Sequence, residues 1–501
     1  MATVLATPGV YIEEKSAFSS SVVGIATAIP AFIGYTAKAL RGTKSLINVP
    51  TKVTSMGEFE ELFGAGPKTK FEITADETAP QGYTVGFEAS SRFMLYNALR
   101  LFFANGGGNC YIVSVGDYKN GIKAKDFNNT ATGAGIPALE KYLEPTLLVI
   151  PEAVLLSKND CYSLQQAMLL HCGFKMRNRF AILDVFNGDK DRTLAEDDVV
   201  NQFREGLGNN FLQWGAAYYP YVKTTIVAAS ELNFTNVANS DVLVELLSKE
   251  VADALEAGAI SQARSEAITA EIAKMPEATK ADDIISLQAT LMVISPKLKG
   301  LIGQLSEMMN VMPPSAAMAG IYAMVDSSIN VAKSPANVSL GSVVAPVVNI
   351  NQEAQEELNV PLNGKAVNAI RSFTGKGVLV WGARTLEGNS QDWRYLSVRR
   401  TMIFLEQSIK FAAESYVFDP NNSTTWSTLK ATVTNFLKNQ WQSGILAGAA
   451  PEDAFSVEIG LGSTMTANDI LDGILKMTIK VAITRPAEFI VITFQQQQQK
   501  S

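Results

Sequence analysis

Short apolar runs alternating with helical segments constrain this chain most. Ala31–Tyr35, Cys110–Val115, Leu147–Ile150 and Phe180–Phe186 each read as a brief apolar strand. Between them, Phe93, Tyr96, Leu99 and Phe103 fall near one face of a helix, and Ser163–Phe174 reads as another. Strands alternating with helices predict an α/β fold. Gly106-Gly107-Gly108 ends the first helix ahead of its strand. A smaller helical fragment, Met56–Phe63, sits in an otherwise polar stretch from 50 to 90.

Two regions break that rhythm. From Asp241 to about Met309 the chain is rich in Ala, Glu, Leu and Lys. There Leu298, Leu301, Leu305 and Met308 recur at helical spacing, which predicts an all-helical insertion. From Pro346 onward the texture changes again. Val378–Gly382 reads as a strand. Val398, Met402, Leu405, Ile409, Ala412 and Tyr416 step by four and three along an amphipathic helix. A second helix carries Trp426, Leu429, Val433 and Phe436 and stops near Gly444. Thr466 and Asp469 are spaced as a capping box, and Met477, Ile479, Val481 and Ile483 alternate as a half-buried strand.

Composition narrows the function. Charged residues make up 18% of the 501, against ~25% in ordinary soluble domains, and apolar residues make up 47%. Disorder is excluded for most of the chain. A net charge of −7 argues against a main task of holding nucleic-acid phosphates. Three dispersed cysteines and a single histidine offer neither a disulfide framework nor a zinc signature. Gly364-Lys365 and Gly375-Lys376 lack the rest of a phosphate loop, and Gly460-Leu461-Gly462 has Met465 where a dinucleotide fingerprint needs glycine. His171 shares a helical stripe with Leu164 and Met168 and reads as a core residue. Asp184 ends a strand without a partner motif. No catalytic residue, metal or cofactor is expected. The start shows no signal-peptide pattern and Val22–Ala37 is too short to span a membrane, so the expectation is a soluble, cytoplasmically made protein.

Both ends carry apolar runs with nowhere local to go. Val10-Tyr11-Ile12-Glu13 follows Pro8-Gly9 and precedes a Ser-rich link. Glu488–Phe494 follows Pro486 and is apolar on both faces. Such a strand joins a sheet, either its own or a neighbour's. A third feature lies between Arg371 and Arg400, where six cations stand against only Glu387 and Asp392. It is either a solvated face or a patch for an acidic protein partner.

In their shared order, the motifs resemble the contractile tail sheath family. Pro8–Glu14, Val23–Ala28 and Phe32–Thr36 match its start, and Phe102–Gly107 with Cys110–Val113 its next block. Ala216–Pro220, Pro313-Pro314-Ser315 with Ala319–Ala323, and Ser334–Asn337 match its middle. The fullest match is C-terminal: Asn368–Arg371, Trp381–Arg384, Trp393–Tyr395, Val398–Arg400, Phe418–Asn421 and Pro486–Ile490. Roughly 50–85 and 235–310 fall outside it. Asp326–Val331 departs from the family pattern, lacking a glycine and a tryptophan often found there.

The resemblance implies a multi-domain α/β subunit. Its parts would be an N-terminal arm (1–22), an outer α/β domain (23–350) with insertions on the sheath's outer surface, an α+β inner domain (351–485) and a C-terminal arm (486–501). It implies a structural protein, not an enzyme: stacked hexameric rings around an inner tube, contracting to drive that tube through a target membrane. Implied partners are further copies of itself, the inner tube protein, and baseplate and terminal cap proteins, with no nucleic acid, no direct membrane insertion and no cofactor. Assembly would occur in the bacterial cytoplasm, as part of a phage tail or of a released or membrane-anchored injection particle; the large helical insertion favours the latter. By position, Val10, Tyr11, Ile12 and Glu13 and Phe489, Ile490, Val491, Ile492 and Thr493 become exchanged strands. Arg394, Arg399 and Arg400 become a tube-facing basic patch, and Trp381, Gly382, Arg384 and Asn421 a structural motif. The alternatives are a soluble α/β enzyme with a cryptic site and a non-contractile shell or adaptor protein.

Overall fold

The computed structural model describes residues 22–76, 78–193 and 195–491. Val10, Tyr11, Ile12, Glu13, Ile492 and Thr493 lie outside the described residues. Those described form two compact units: 26–403 with 485–491, and 22–25 with 404–484.

The larger unit is organised on a nine-stranded sheet. In chain order its strands are β1 (Pro30–Gly34), β2 (Thr51–Val53), β3 (Cys110–Ser114), β4 (Leu147–Val149), β5 (Phe180–Asp184), β6 (Gly215–Tyr219), β7 (Val338–Ser339), β8 (Asn368–Phe373) and β9 (Gly377–Trp381). In space they run β7-β9-β8-β6-β5-β4-β1-β3-β2. Pairing is parallel from β3 through β1, β4, β5 and β6 to β8, with Phe32 opposite both Ile112 and Val149. Antiparallel strands close both edges. Every residue of β1, β3, β4, β5 and β6 is buried. Parallel strands covered by helices on both faces have no polar side to show, which explains the uniformly apolar runs in the sequence.

Helices Leu95–Ala104 and Ser315–Ser328 pack against one another over this sheet. Gly320 makes their approach possible: a Cβ there would lie 2.5 Å from the Phe102 carbonyl oxygen. The expected insertion is helical, with helices Ser240–Glu256, Gln262–Ala273, Ala281–Ile294 and Pro296–Met309. Its buried residues recur at helical spacing, as Leu243, Leu247 and Val251, then Leu298, Leu301, Ile302 and Leu305. Ser261 and Ser295 cap two of the helices, accepting from the amides of Arg264 and Leu298.

The boundary expected at 351 is corrected. β8 pairs with β6, placing Asn368 beside Tyr218 and Ala369 beside Tyr219, so 351–403 belongs to the large sheet. The compact C-terminal unit begins at Phe404, inside the Leu396–Glu414 helix. In that unit helix Ser423–Gln442 buries Leu429, Val433, Phe436 and Leu437. β10 (Phe455–Ile459) and β11 (Met477–Val481) form an antiparallel ladder with no third strand among the described residues.

Candidate assembly site

Gly382 begins a latch at the end of β9. A Cβ at this position would sit 2.7 Å from Asn368 Oδ1 and 3.0 Å from its Cα, so only glycine lets the two segments approach. The Asn368 amide then ties three segments together. Its Nδ2 donates to the carbonyls of Ala217 (3.2 Å) and Arg384 (2.8 Å), and its Oδ1 accepts from the Arg384 amide (2.8 Å). This fixes the direction in which the Arg384 side chain leaves the backbone. Trp381 packs against Phe373, ring centroids 4.6 Å apart and planes tilted by 52°.

Arg384 holds the root of the C-terminal segment. Its Nε and Nη2 donate to the two oxygens of Glu488 at 3.0 and 2.7 Å, and its Nη1 donates to the Asn359 carbonyl at 3.1 Å. Asn359 Nδ2 (2.8 Å) and the Tyr395 hydroxyl (2.9 Å) complete the grip on Glu488. Two-point pairing to a guanidinium fixes geometry as well as charge. Burial alone would raise the Glu488 carboxyl; the bonds from Arg384, Asn359 and Tyr395 outweigh it and hold the group below the usual carboxylate range. Beyond this latch Phe489, Ile490 and Val491 are 71%, 80% and 88% exposed and lie in no strand. Of the strand expected at Glu488–Phe494, the described part, 488–491, has no ladder partner among the described residues. Three consecutive exposed apolar residues are unfavourable unless something covers them.

The basic patch expected at Arg394, Arg399 and Arg400 is corrected at two of its three positions. Arg399 is 5% exposed and Arg400 3%, so neither contributes to a solvent-facing patch. Arg400 donates to both oxygens of Asp326 (3.1 and 2.5 Å) and to the Thr27 carbonyl (3.0 Å), with its guanidinium 4.6 Å from the Tyr322 ring centroid. Arg399 is sandwiched between Trp214 and Trp393, at 4.2 and 4.5 Å. Burial of a guanidinium requires such partners. Arg394 is half-buried, its Nε donating to the Ser390 carbonyl at 3.0 Å. Asn421 lies in the other unit, accepting from Trp426 Nε1 at 2.7 Å and donating to the Ile474 carbonyl at 3.3 Å.

Sequence reading named Asp326 only as the start of a departure from the family pattern and missed it as the counter-charge of Arg400. The available signal was an acid one turn beyond Tyr322 on an otherwise apolar helix, Ser315–Ser328.

Two further buried carboxyls sit at helix starts. Asp184 accepts from the Ser315 amide (2.9 Å) and hydroxyl (2.5 Å), and Glu152 from the amides of Tyr35, Met94 and Leu95. Burial raises each carboxyl to about 7 against the donated hydrogen bonds. His171, pushed down to about 3 by burial and by Arg179, stays neutral, with its Nε2 3.3 Å from Arg179 Nη1. Among the described residues no group of three or more His, Cys, Asp or Glu could hold a metal, and no helix is long and apolar enough to cross a membrane.

The raised Asp184 sets a pH dependence. Between about pH 4 and 7 the unfolded chain loses this proton while the folded one keeps it, so stability falls as pH rises through that window. Asp184→Asn removes this contribution. In urea unfolding series from pH 4.5 to 7.5, the decline should be shallower for the variant than for the unaltered chain.

The fold therefore joins a parallel-sheet unit, a smaller α+β unit and an anchored apolar run, Phe489–Val491, that pairs with no strand among the described residues. The family model of the phage tail sheath C-terminal domain matches residues 389–497. Among solved structures, the anti-feeding prophage (AFP) helical sheath in its contracted state is similar, with 28% identity, a TM-score of 0.61, and 99% of this chain and 100% of that one covered. The sheath complex of PVC, an extracellular contractile injection system, in its contracted state gives 28%, 0.59, 99% and 99%. A chain of the AFP baseplate gives 27%, 0.60, 99% and 100%. Comparison with curated proteins found no match. The chain thus carries a sheath C-terminal domain and shares its fold with these contractile sheath chains along almost its whole length.

Proposed function

We propose that the chain is the sheath subunit of an extracellular contractile injection particle. Copies stack as six-fold rings around an inner tube, and the sheath contracts to drive the tube through a target membrane. The observation that carries this reading is the run Phe489–Val491, exposed and strandless directly after the latched Glu488. A segment so placed is held at its root and is free to add to a sheet of another copy, with main-chain bonds supplying affinity. The ladder of β10 and β11, which has no third strand among the described residues, offers its edges as an acceptor, because two strands alone are marginal in water. The likeness to AFP and PVC sheath chains supports the extracellular type over a phage tail.

On this reading residues 10–13 and 489–493 are the exchanged strands. Of the three residues expected in the tube-facing patch, Arg394 is the one left to meet an acidic tube surface. The tube protein, baseplate and terminal cap are the other partners, and assembly takes place in the bacterial cytoplasm. The energy of contraction is stored in a kinetically trapped lattice and needs no nucleotide. Purified chain, alone and with its tube protein, should form high-mass tubules by negative-stain microscopy. A monodisperse monomer under every condition tried, with turnover or a stoichiometric small ligand, would overturn the reading.

A further inference from the structure

Two surfaces of the larger unit complement each other and cannot meet within one chain. The first is a groove of about 1090 Å³ at the end of the Gln352–Asn359 helix. Val360 and Leu362 are exposed along it, and Phe489 stands at its edge. Glu196, Glu353 and Glu356 also line it, and none of them is in an ion pair among the described residues. Glu357 differs, being committed internally to Arg192 and Arg204.

The second surface is a small hairpin following β1, in which Leu40–Arg41 pairs with Lys44–Ser45 around a left-handed Gly42 (φ 61°). Residues 37–47 carry Lys38, Arg41 and Lys44 and no acid. None of the three cations is in an ion pair among the described residues, and Leu40 and Ile47 are exposed beside them.

Each surface therefore sets charge of one sign, in no ion pair among the described residues, beside exposed apolar side chains. β1, which leads into the hairpin, and β8, which follows the groove loop, are separated by β4, β5 and β6. Four interstrand steps of ~4.8 Å put them roughly 19 Å apart.

We propose that the basic hairpin of one copy docks in the acid-rimmed groove of the next. The occupant is a second copy of this chain, identified by charge complementarity and matching apolar contacts. Two different surfaces of identical subunits make a heterologous contact, which propagates into a ring or helical array and does not stop at a dimer. The inference rests on the sheath reading and adds a contact distinct from strand exchange.

The test uses the full chain with both arms intact. Arg41→Glu with Lys44→Glu, and separately Glu353→Lys with Glu356→Lys, should each lower the assembled fraction at least tenfold by sedimentation. The four changes together should bring it back to within about twofold of the unaltered chain. Single-sided variants that assemble normally, or a combined variant no better than either, would overturn the contact.

A second measurement does not depend on tubules. Arg41→Cys chain mixed with Glu356→Cys chain should give an intermolecular disulfide under mild oxidation; Cys110, Cys161 and Cys172 are buried and do not compete. Tubules without the cross-link would overturn this contact and leave the sheath reading standing. If the unaltered chain forms no tubules, that reading fails, while the cross-link still decides the contact, its presence supporting it and its absence overturning it.

Discussion

A chain ending at Glu488 is expected to fold and to lose assembly. Phe489, Ile490 and Val491 are exposed, and removing residues 489–501 leaves the Arg384–Glu488 latch in place. Substitutions away from core features usually change stability by less than ~0.5 kcal/mol, so the urea midpoint should hardly move. Assembly should respond in the opposite way. A five-residue strand added to a neighbour contributes several main-chain bonds of about 1 kcal/mol net each. Its apolar side chains contribute ~1.5–3 kcal/mol each where they become fully buried. Losing even 3 kcal/mol per contact is more than a hundredfold in an association constant at ~1.4 kcal/mol per tenfold. Sedimentation should therefore show monomer where the full chain gives tubules, with an unchanged far-ultraviolet dichroism spectrum. Intact tubules would remove strand exchange from the mechanism. An unfolded product would mean that 489–501 completes the subunit's own fold. Glu488→Ala is a less discriminating variant, because it leaves Arg384 buried without its carboxylate and so affects folding as well.

The α/β core was legible because parallel strands buried on both faces can only be written as short apolar runs, and β1, β3, β4 and β5 are all of that kind. The helical insertion was legible for a similar reason: Leu298, Leu301 and Leu305 carry the helical period in the sequence itself. The boundary at 351 was misplaced because the pairing of Asn368 with Tyr218 is a contact between distant segments, invisible to any local window. The basic segment was misread for the same reason. Arg400 takes its counter-charge from Asp326, 74 positions away, and Arg399 stacks on Trp214 as well as on the nearby Trp393. The terminal run was visible as an apolar stretch. The three-residue grip on Glu488 was not, since Asn359, Arg384 and Tyr395 converge only once the fold is formed.

The second large effect concerns the Arg400–Asp326 pair. Both side chains are almost wholly removed from water, at 3% and 5% exposure. Taking one partner away leaves a buried charge without compensation, which typically costs about 3–5 kcal/mol. Asp326→Ala should therefore shift the main urea transition of the larger unit by that order. Tryptophan fluorescence should follow it, because Trp214 and Trp393 flank the adjacent Arg399. Arg400→Lys should recover little, since a lysine cannot reach both Asp326 oxygens and the Thr27 carbonyl with one planar fork. Replacing both partners, Arg400→Met with Asp326→Leu, removes the two charges together and should come within about 1–2 kcal/mol of the unaltered chain. A single Asp326→Ala loss below ~1 kcal/mol would show that water reaches the pair. The double variant also separates stability from assembly. It keeps an apolar core but leaves the Thr27 carbonyl, close in sequence to residues 1–22, without its guanidinium donor. A chain that is stable in urea yet assembles poorly would mean that the buried pair is kept for the position it gives Thr27, and that hydrophobic replacement cannot supply it.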